Sequence, residues 1–335
     1  MLAFFQWDST AQQGKLPDPW RQNSFAIGWT ADRTIPKIDH GYLEFSRRIL
    51  RKGPERDAIH LNSLADGRAQ DIPFWLNGAA VIWVDDVAIA PDDSLIVVGS
   101  LSPDAKRAVN FMSHVDGAGH SLATVNMGTY EPELACVEVD GSIWTLGQDW
   151  GAERSDISYP MLRNYSSSGQ LLQSYLVNDT IPPIKLNLST RLHGLGSAPG
   201  RVFLQCGKNS VGAYIGPARL WAEVSLANHS FQAWNVALPS AGNVTGLALT
   251  GEHAVYCSFK AANKTIYTRG FFKLNLGQGK SASWEPVPGA VSFTAIDGSL
   301  SAPVALAGSD GASFVYAKWP DNNQESKGTL FWVKP

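Results

Sequence analysis

The side chains that could do chemistry lie between Trp83 and Asn243: Trp83, Asp85, Asp86, Tyr130, Glu131, Glu133, Arg191, His193 and Asn243. Four carboxylates and an amide are hard oxygen donors, suited to a cation such as Ca2+, which takes about six to eight oxygens at roughly 2.3–2.6 Å. Arg191 could offset repelling acids. His193 could move a proton, or serve only as a hydrogen-bonding residue. Trp83, Tyr130 and Trp150 could stack an aromatic face on a sugar or other ring, or cap a packed edge. No HxxH, HExxH or GxSxG pattern is present, and Gly194-Leu195-Gly196 lacks the third glycine and the strand–helix context of a dinucleotide loop. These residues can act together only if the fold gathers them.

A repeat says how it would. Residues 87–99 read as a short apolar strand, a Pro-Asp-Asp turn and a second apolar strand ending in Gly. Residues 135–147 repeat the phrase around Asp140-Gly141, and residues 194–206 and 246–258 repeat it more loosely. Alignment of the second strands pairs Leu95, Ile143, Val202 and Ala254, in steps of 48, 59 and 52 residues. A period of that size, filled only with strands, predicts the blades of a β-propeller. The innermost strand of each blade then runs along a central channel. Residues just ahead of those strands meet at one mouth: Asp85 and Asp86, Glu131 and Glu133, Arg191 and His193, Asn243 and Thr245. Ser299 or Ser301 would join from the last blade and Asn23 or Ser24 from the first. A buried acid in that place can equally serve only to tie neighbouring blades through backbone N–H groups.

The outer strands recur as hairpins around turns rich in Gly, Asn, Asp or Ser. Residues 108–112 and 122–126 make one, then 161–165 with 171–177, 220–226 with 231–236, and 271–276 with 283–287. Residues 58–62 and 70–75 supply an earlier pair, with inner strands expected at 25–30 and 41–45. At the end of the chain, 304–307 and 314–317 flank Ser309-Asp310-Gly311-Ala312 and are chosen as inner strands over 293–296 with 304–307. Residues 329–333 are then a third strand with an open edge, and residues 3–8 are expected to fill it. The expectation is a single all-β domain over residues 1–335, a six-bladed propeller of four-stranded antiparallel blades closed by an N-terminal strand. Seven blades is the alternative. The basic run Arg47–Arg56 reads as a short turn or rim loop, or a patch for an acidic partner.

The phrase Val139-Asp140-Gly141-Ser142-Ile143-Trp144 resembles the repeat of six-bladed propellers of the NHL and gluconolactonase-like groups. Some gluconolactonase-like propellers hold a metal with Glu, Asn and Asp. The resemblance therefore implies Glu133, Asn243 and Asp86 as a metal set, for Ca2+ or another divalent cation. Fold likeness is a weak warrant for activity, so the leading expectation is a binding or protein-interaction propeller whose mouth holds a small molecule or partner. The alternatives are a metal-dependent hydrolase or lactonase and a carbohydrate-active propeller with paired carboxylates.

Composition bounds these readings. The formal net charge is -3, from 27 basic and 30 acidic residues, which argues against a general nucleic-acid binder. No run approaches the roughly 18 apolar residues of a membrane helix. The apolar start Met1–Phe5 is too short for a leader core. Low charge and 12 Trp lean toward a periplasmic or extracellular protein, with a cytoplasmic one as alternative. Cys136, Cys206 and Cys257 fit no metal spacing and are expected as three free thiols. Sequons stand at Asn164, Asn178, Asn187, Asn228, Asn243 and Asn263.

Overall fold

The computed structural model describes residues 21–26, 37–39, 42–44, 49–52, 58–63, 68–104, 108–149, 159–176, 202–216, 219–238, 243–250, 255–262, 266–295, 304–309, 314–318 and 327–333. Strand follows strand throughout. β1 (Arg21–Ala26) stands apart from its chain neighbours. β2 (Lys37–Asp39), β3 (Tyr42–Glu44), β5 (Ala58–Ser63) and β6 (Ala69–Pro73) form the second sheet in the order β2-β3-β5-β6. β7 (Val81–Ile89), β8 (Leu95–Ser102), β9 (Val109–Val115) and β10 (Ser121–Gly128) form the third. β4 (Ile49–Lys52) adds to it on the free edge of β7. The fourth is β11 (Tyr130–Val137), β12 (Ile143–Asp149), β13 (Tyr159–Tyr165) and β14 (Leu171–Leu176).

Two further four-stranded groups share one sheet. The first is β15 (Val202–Cys206), β16 (Ser210–Ile215), β17 (Leu220–Ser225) and β18 (Phe231–Ala237). The second is β19 (Asn243–Leu249), β20 (Val255–Ala262), β21 (Ile266–Leu276) and β22 (Ser281–Ala295). Their outer strands join where Asn235–Ala237 pair in parallel with Ser281–Ser283. The last sheet holds β23 (Val304–Ser309), β24 (Phe314–Lys318) and β25 (Lys327–Val333), and β1 completes it by pairing with β25. The first strands of neighbouring groups lie against one another, β7 on β11, β11 on β15, β15 on β19 and β19 on β23. Antiparallel four-stranded sheets stacked with their first strands side by side make a β-propeller.

The apolar runs follow from that stacking. A blade is covered on both faces, so both sets of alternating side chains are buried. Val87, Ile89, Leu95 and Val97 pack toward the second sheet, while Ala88, Ile96 and Val98 pack toward the fourth. The fourth sheet turns its other face, with Trp144, Leu146 and Leu162, onto β15–β18. Trp144, Trp221, Trp234 and Trp284 are all buried in such interfaces, as their strand positions predict. Each fully buried large side chain contributes about 1.5–3 kcal/mol. Among the described residues no helix is long and apolar enough to cross a membrane.

Several expectations are corrected. The strand paired with β25 is Arg21–Ala26, while residues 3–8 lie outside the described residues. Phe25 and Ala26 thus belong to the last sheet, and the first strand of the second sheet is β2. Part of the basic run is neither turn nor rim loop, because Ile49–Lys52 pair antiparallel with Val81–Val84. Val202 opens the first strand of its group, not the second. The register equivalents of Leu95 and Ile143 include Val255, since these three pair with Ile89, Val137 and Leu249.

The three free thiols are also overturned. Cys136 on β11 and Cys206 on β15 form a disulfide, with Cα atoms 5.6 Å apart. The misplaced register of residues 202–206 hid it, because it set Cys206 one strand away from the channel. Next to Cys206, the Gln205 amide bridges to β19, donating to the Leu247 carbonyl at 2.7 Å and accepting from the Leu249 N–H at 2.5 Å. Cys257 remains free and fully buried, and burial pushes its thiol well above the usual range.

Two outcomes follow. Thiol titration of native protein should find no fast-reacting group, of unfolded unreduced protein one, and of unfolded reduced protein three. Reduction should lower the melting temperature, because a loop of 70 residues closed by a disulfide accounts for about 4 kcal/mol in the chain-entropy picture. The double variant Asn23→Pro, Ser24→Pro must place one ring where an N–H of β1 faces β25, since neighbouring N–H groups point to opposite edges. Its melting temperature should fall by several degrees, and an unchanged value would show that β1 is dispensable.

Candidate functional site

The site begins with a bulge that the sheets repeat. Val84 opposes Gly99 and Asp86 opposes Val98, so Asp85 is an extra residue on β7. Pro132 opposes Gly147 and Leu134 opposes Leu146, which leaves Glu133 as the extra residue on β11. On β19 the same register leaves Thr245. The glycines are required there. A Cβ on Gly99 would stand 2.0 Å from the Trp83 carbonyl oxygen, and one on Gly147 would stand 2.1 Å from that of Glu131. The final Gly of the repeated phrase thus marks the bulge across from it, and bulges re-aim side chains.

The register sorts the candidates into rows. Trp83, Glu131 and Asn243 share one position, opposite Ser100, Gln148 and Lys260. Asp85 and Glu133 share the next, at the bulge, and Asp86 follows. All but Asp86, which stands just past the middle of β7, lie in the leading halves of first strands, the end expected to open as the mouth. Arg191, His193, Trp150, Ser299 and Ser301 lie outside the described residues. Asn23 and Ser24 are in β1, paired with Leu330 and Thr329 on β25, the strand farthest but one from the inner edge.

Burial decides what several of these can do. Asp86 is 5% exposed and its Oδ2 accepts the Ala135 N–H on the neighbouring β11 at 2.9 Å. That is the blade-tying role, and the buried bond to a charged acceptor is worth about 1.5–3 kcal/mol. Glu133 is also 5% exposed, and its Oε1 accepts from Gln148 Nε2 at 2.7 Å. Gln148, which the sequence reading did not single out, is itself 1% exposed. Asp85, Glu131 and Trp83 are half-buried.

Tyr130 is no stacking platform at a rim. It opens β11 fully buried, with its hydroxyl 2.9 Å from Thr145 Oγ1 and within 3.2 Å of the Met161 carbonyl. Burial pushes the phenol well above its usual range. The Arg163 guanidinium covers its ring, 4.0 Å from the centroid. Arg163 Nη2 also donates to Asp149 Oδ2 at 2.8 Å, and Thr129 donates to the other oxygen of Asp149 at 2.8 Å. This Tyr–Arg–Asp group fixes the mouth end of the fourth sheet. Its spacing in the chain gave no signal, because the three residues meet only through strand pairing.

Among the described residues no group of three or more His, Cys, Asp or Glu side chains could hold a metal ion. A carboxylate that accepts a backbone N–H can still offer its second oxygen to a ligand. The arrangement is therefore a set of acids seated on rigid strands, with Asp86 bonded to the neighbouring sheet and Glu133 to Gln148.

No protein-family model matches the chain, and no curated protein sequence matches it. Among solved structures it is similar to a luciferin-regenerating enzyme, at 10% identity and a TM-score of 0.47, over 94% of this chain and 96% of that one. It is also similar to the β-propeller domain of Cps50 (Swd1) from Myceliophteria thermophila, at 8% identity and a TM-score of 0.43, over 92% of this chain and 99% of that one. Such identities carry no activity across, and the fold assignment rests on the sheet topology.

Proposed function

We propose that the chain is a six-bladed propeller, closed by β1, that works as a binding scaffold with its ligand or protein partner at the channel mouth. The observation that carries this reading is the commitment of Asp86 and Glu133. Their carboxylates hold Ala135 N–H and Gln148 in place, which suits a rigid rim better than a pair of acids poised to exchange protons. Trp83, half-buried in the same rows, offers an aromatic face for recognition. The disulfide supports an oxidising compartment, periplasmic or extracellular.

A metal-dependent lactonase of the gluconolactonase-like kind draws support from the shared bulge position of Asp85 and Glu133. It would hold Ca2+ or another divalent cation with Asp86, Glu133 and Asn243, and use the metal to polarise a carbonyl. Two of those three would then serve the cation and their internal bonds at once.

Calorimetry separates the two. Under the scaffold reading neither Ca2+ nor Zn2+ gives saturable heat with the metal-stripped protein, and Glu133→Gln changes only thermal stability. Saturable Ca2+ heat in the parent that disappears in Glu133→Gln, with the melting temperature kept, would sink the scaffold reading and establish the metal site.

A further inference from the structure

The propeller has a second end, opposite the mouth, where first strands finish. In an antiparallel four-stranded sheet the turn between strands one and two and the turn between strands three and four lie at that same end. In the third sheet these turns are residues 90–94 and 116–120, and in the fourth they are 138–142 and 166–170. Every exposed large hydrophobic side chain among the described residues stands at this end. Leu122 is 61% exposed, Val139 78%, Leu171 47%, Leu172 56% and Leu276 44%. Exposed leucines scattered singly are ordinary. Here four of the five crowd the turns of two neighbouring sheets.

The repeat places two of them deliberately. Ser121 opposes Val115 and Ala123 opposes His114, so Leu122 is an extra residue on β10. Leu171 opposes Tyr165 and Gln173 opposes Asn164, so Leu172 is the extra residue on β14. Outer strands are commonly guarded at such bulges by charge. Both of these bulges present leucine instead.

Three of the four turns are acidic, and the turn at 166–170 is polar and uncharged. Asp92, Asp93, Asp116 and Asp140 lie within them beside the buried Glu138, His120 stands 3.1 Å from Asp116, and the four turns contain no Lys or Arg. Hydrogen bonds from Ser94 to Asp92, from the His120 N–H to Asp116 and from the Ser142 N–H to Asp140 hold these carboxyls below the usual range. The end of the propeller over the third and fourth sheets is thus apolar and anionic together. A second copy of the chain, with net charge -3, would bring the same aspartates, and an anionic membrane would be repelled.

We propose that this turn face, with Leu122, Leu172 and Val139 among Asp92, Asp116 and Asp140, docks a partner protein segment that carries Lys or Arg beside large apolar side chains. This goes beyond the mouth reading and does not depend on it. The probe is a short fluorescein-labelled peptide of alternating leucine and lysine, titrated by fluorescence anisotropy into the full chain at low salt. A peptide with glutamate in place of lysine is the comparison. The parent should bind the lysine peptide and not the glutamate one. Leu122→Ser with Leu172→Ser, and separately Asp116→Asn with Asp140→Asn, should each weaken binding about fivefold or more. The leucine variant, whose side chains are exposed, should melt with the parent, and the asparagine variant, whose amide oxygens can still accept the turn N–H groups, should melt within a few degrees of it. Absence of lysine-peptide binding to the parent would overturn the proposal, as would equal binding by both variants or by the glutamate peptide. A concentration-dependent dimer of the parent that the leucine variant abolishes would name a second copy as the occupant and overturn it as well.

Discussion

The constraint on which this structure depends is that neighbouring first strands share no ladder. Among the described residues β11 pairs only with β12, β15 only with β16 and β19 only with β20. Around the channel, backbone hydrogen bonds therefore hold each blade together but not one blade to the next. The boundaries rest on packed side chains, and around the channel on three ties of different chemistry. A carboxylate joins β7 to β11, a disulfide joins β11 to β15, and an amide joins β15 to β19. Cys136 and Gln205 occupy the same place in their strands, one residue before the last that pairs across the hairpin. One repeat position has thus been given two solutions to one problem. Farther out, the parallel pairing of β18 with β22 ties two groups at their rims.

That dependence explains what the sequence revealed and what it hid. Turns and hairpins are local, and residues such as Asp116-Gly117, Ser168-Gly169 and Gly277-Gln278-Gly279 announce them. The pairs β9 with β10, β13 with β14 and β21 with β22 are readable for that reason. The first turn of the β15 group has no acidic-glycine phrase. It runs through Gly207-Lys208-Asn209, and the Gly207 N–H simply bonds the Ser210 carbonyl. Alignment by phrase then slid one strand too far, and the disulfide was lost with the register. β4 was hidden for another reason. Four residues, two of them basic, carry no alternation by which an isolated strand can be recognised.

The candidate site divides in the same way. The 48-residue step that aligns Leu95 with Ile143 also aligns Asp85 with Glu133, whereas the expected metal set took Asp86 in that place; the glycine of the phrase is needed where the bulge carbonyl approaches. Burial was not legible. Tyr130 and Trp83 look alike as aromatics ahead of an apolar run, yet one is sealed beneath Arg163 and the other is half-buried. Only the fold puts Arg163 and Asp149 over Tyr130, because β13 returns alongside β12.

The two ends of the ring consequently face opposite demands. At the mouth end, acids turn inward to hydrogen-bond partners, Asp86 across a blade boundary and Glu133 within its own sheet, so both are buried and bonded. At the turn end no boundary has to be tied by charge, since the turns satisfy their own N–H groups through Asp92, Asp116 and Asp140. Aspartate there pays a desolvation cost that those hydrogen bonds outweigh, and remains as fixed negative charge. The bulges that interrupt pairing on β10 and β14 then set leucines beside that charge. Rigidity at one end and an exposed acidic, apolar surface at the other follow from one arrangement of antiparallel sheets whose first strands share no ladder.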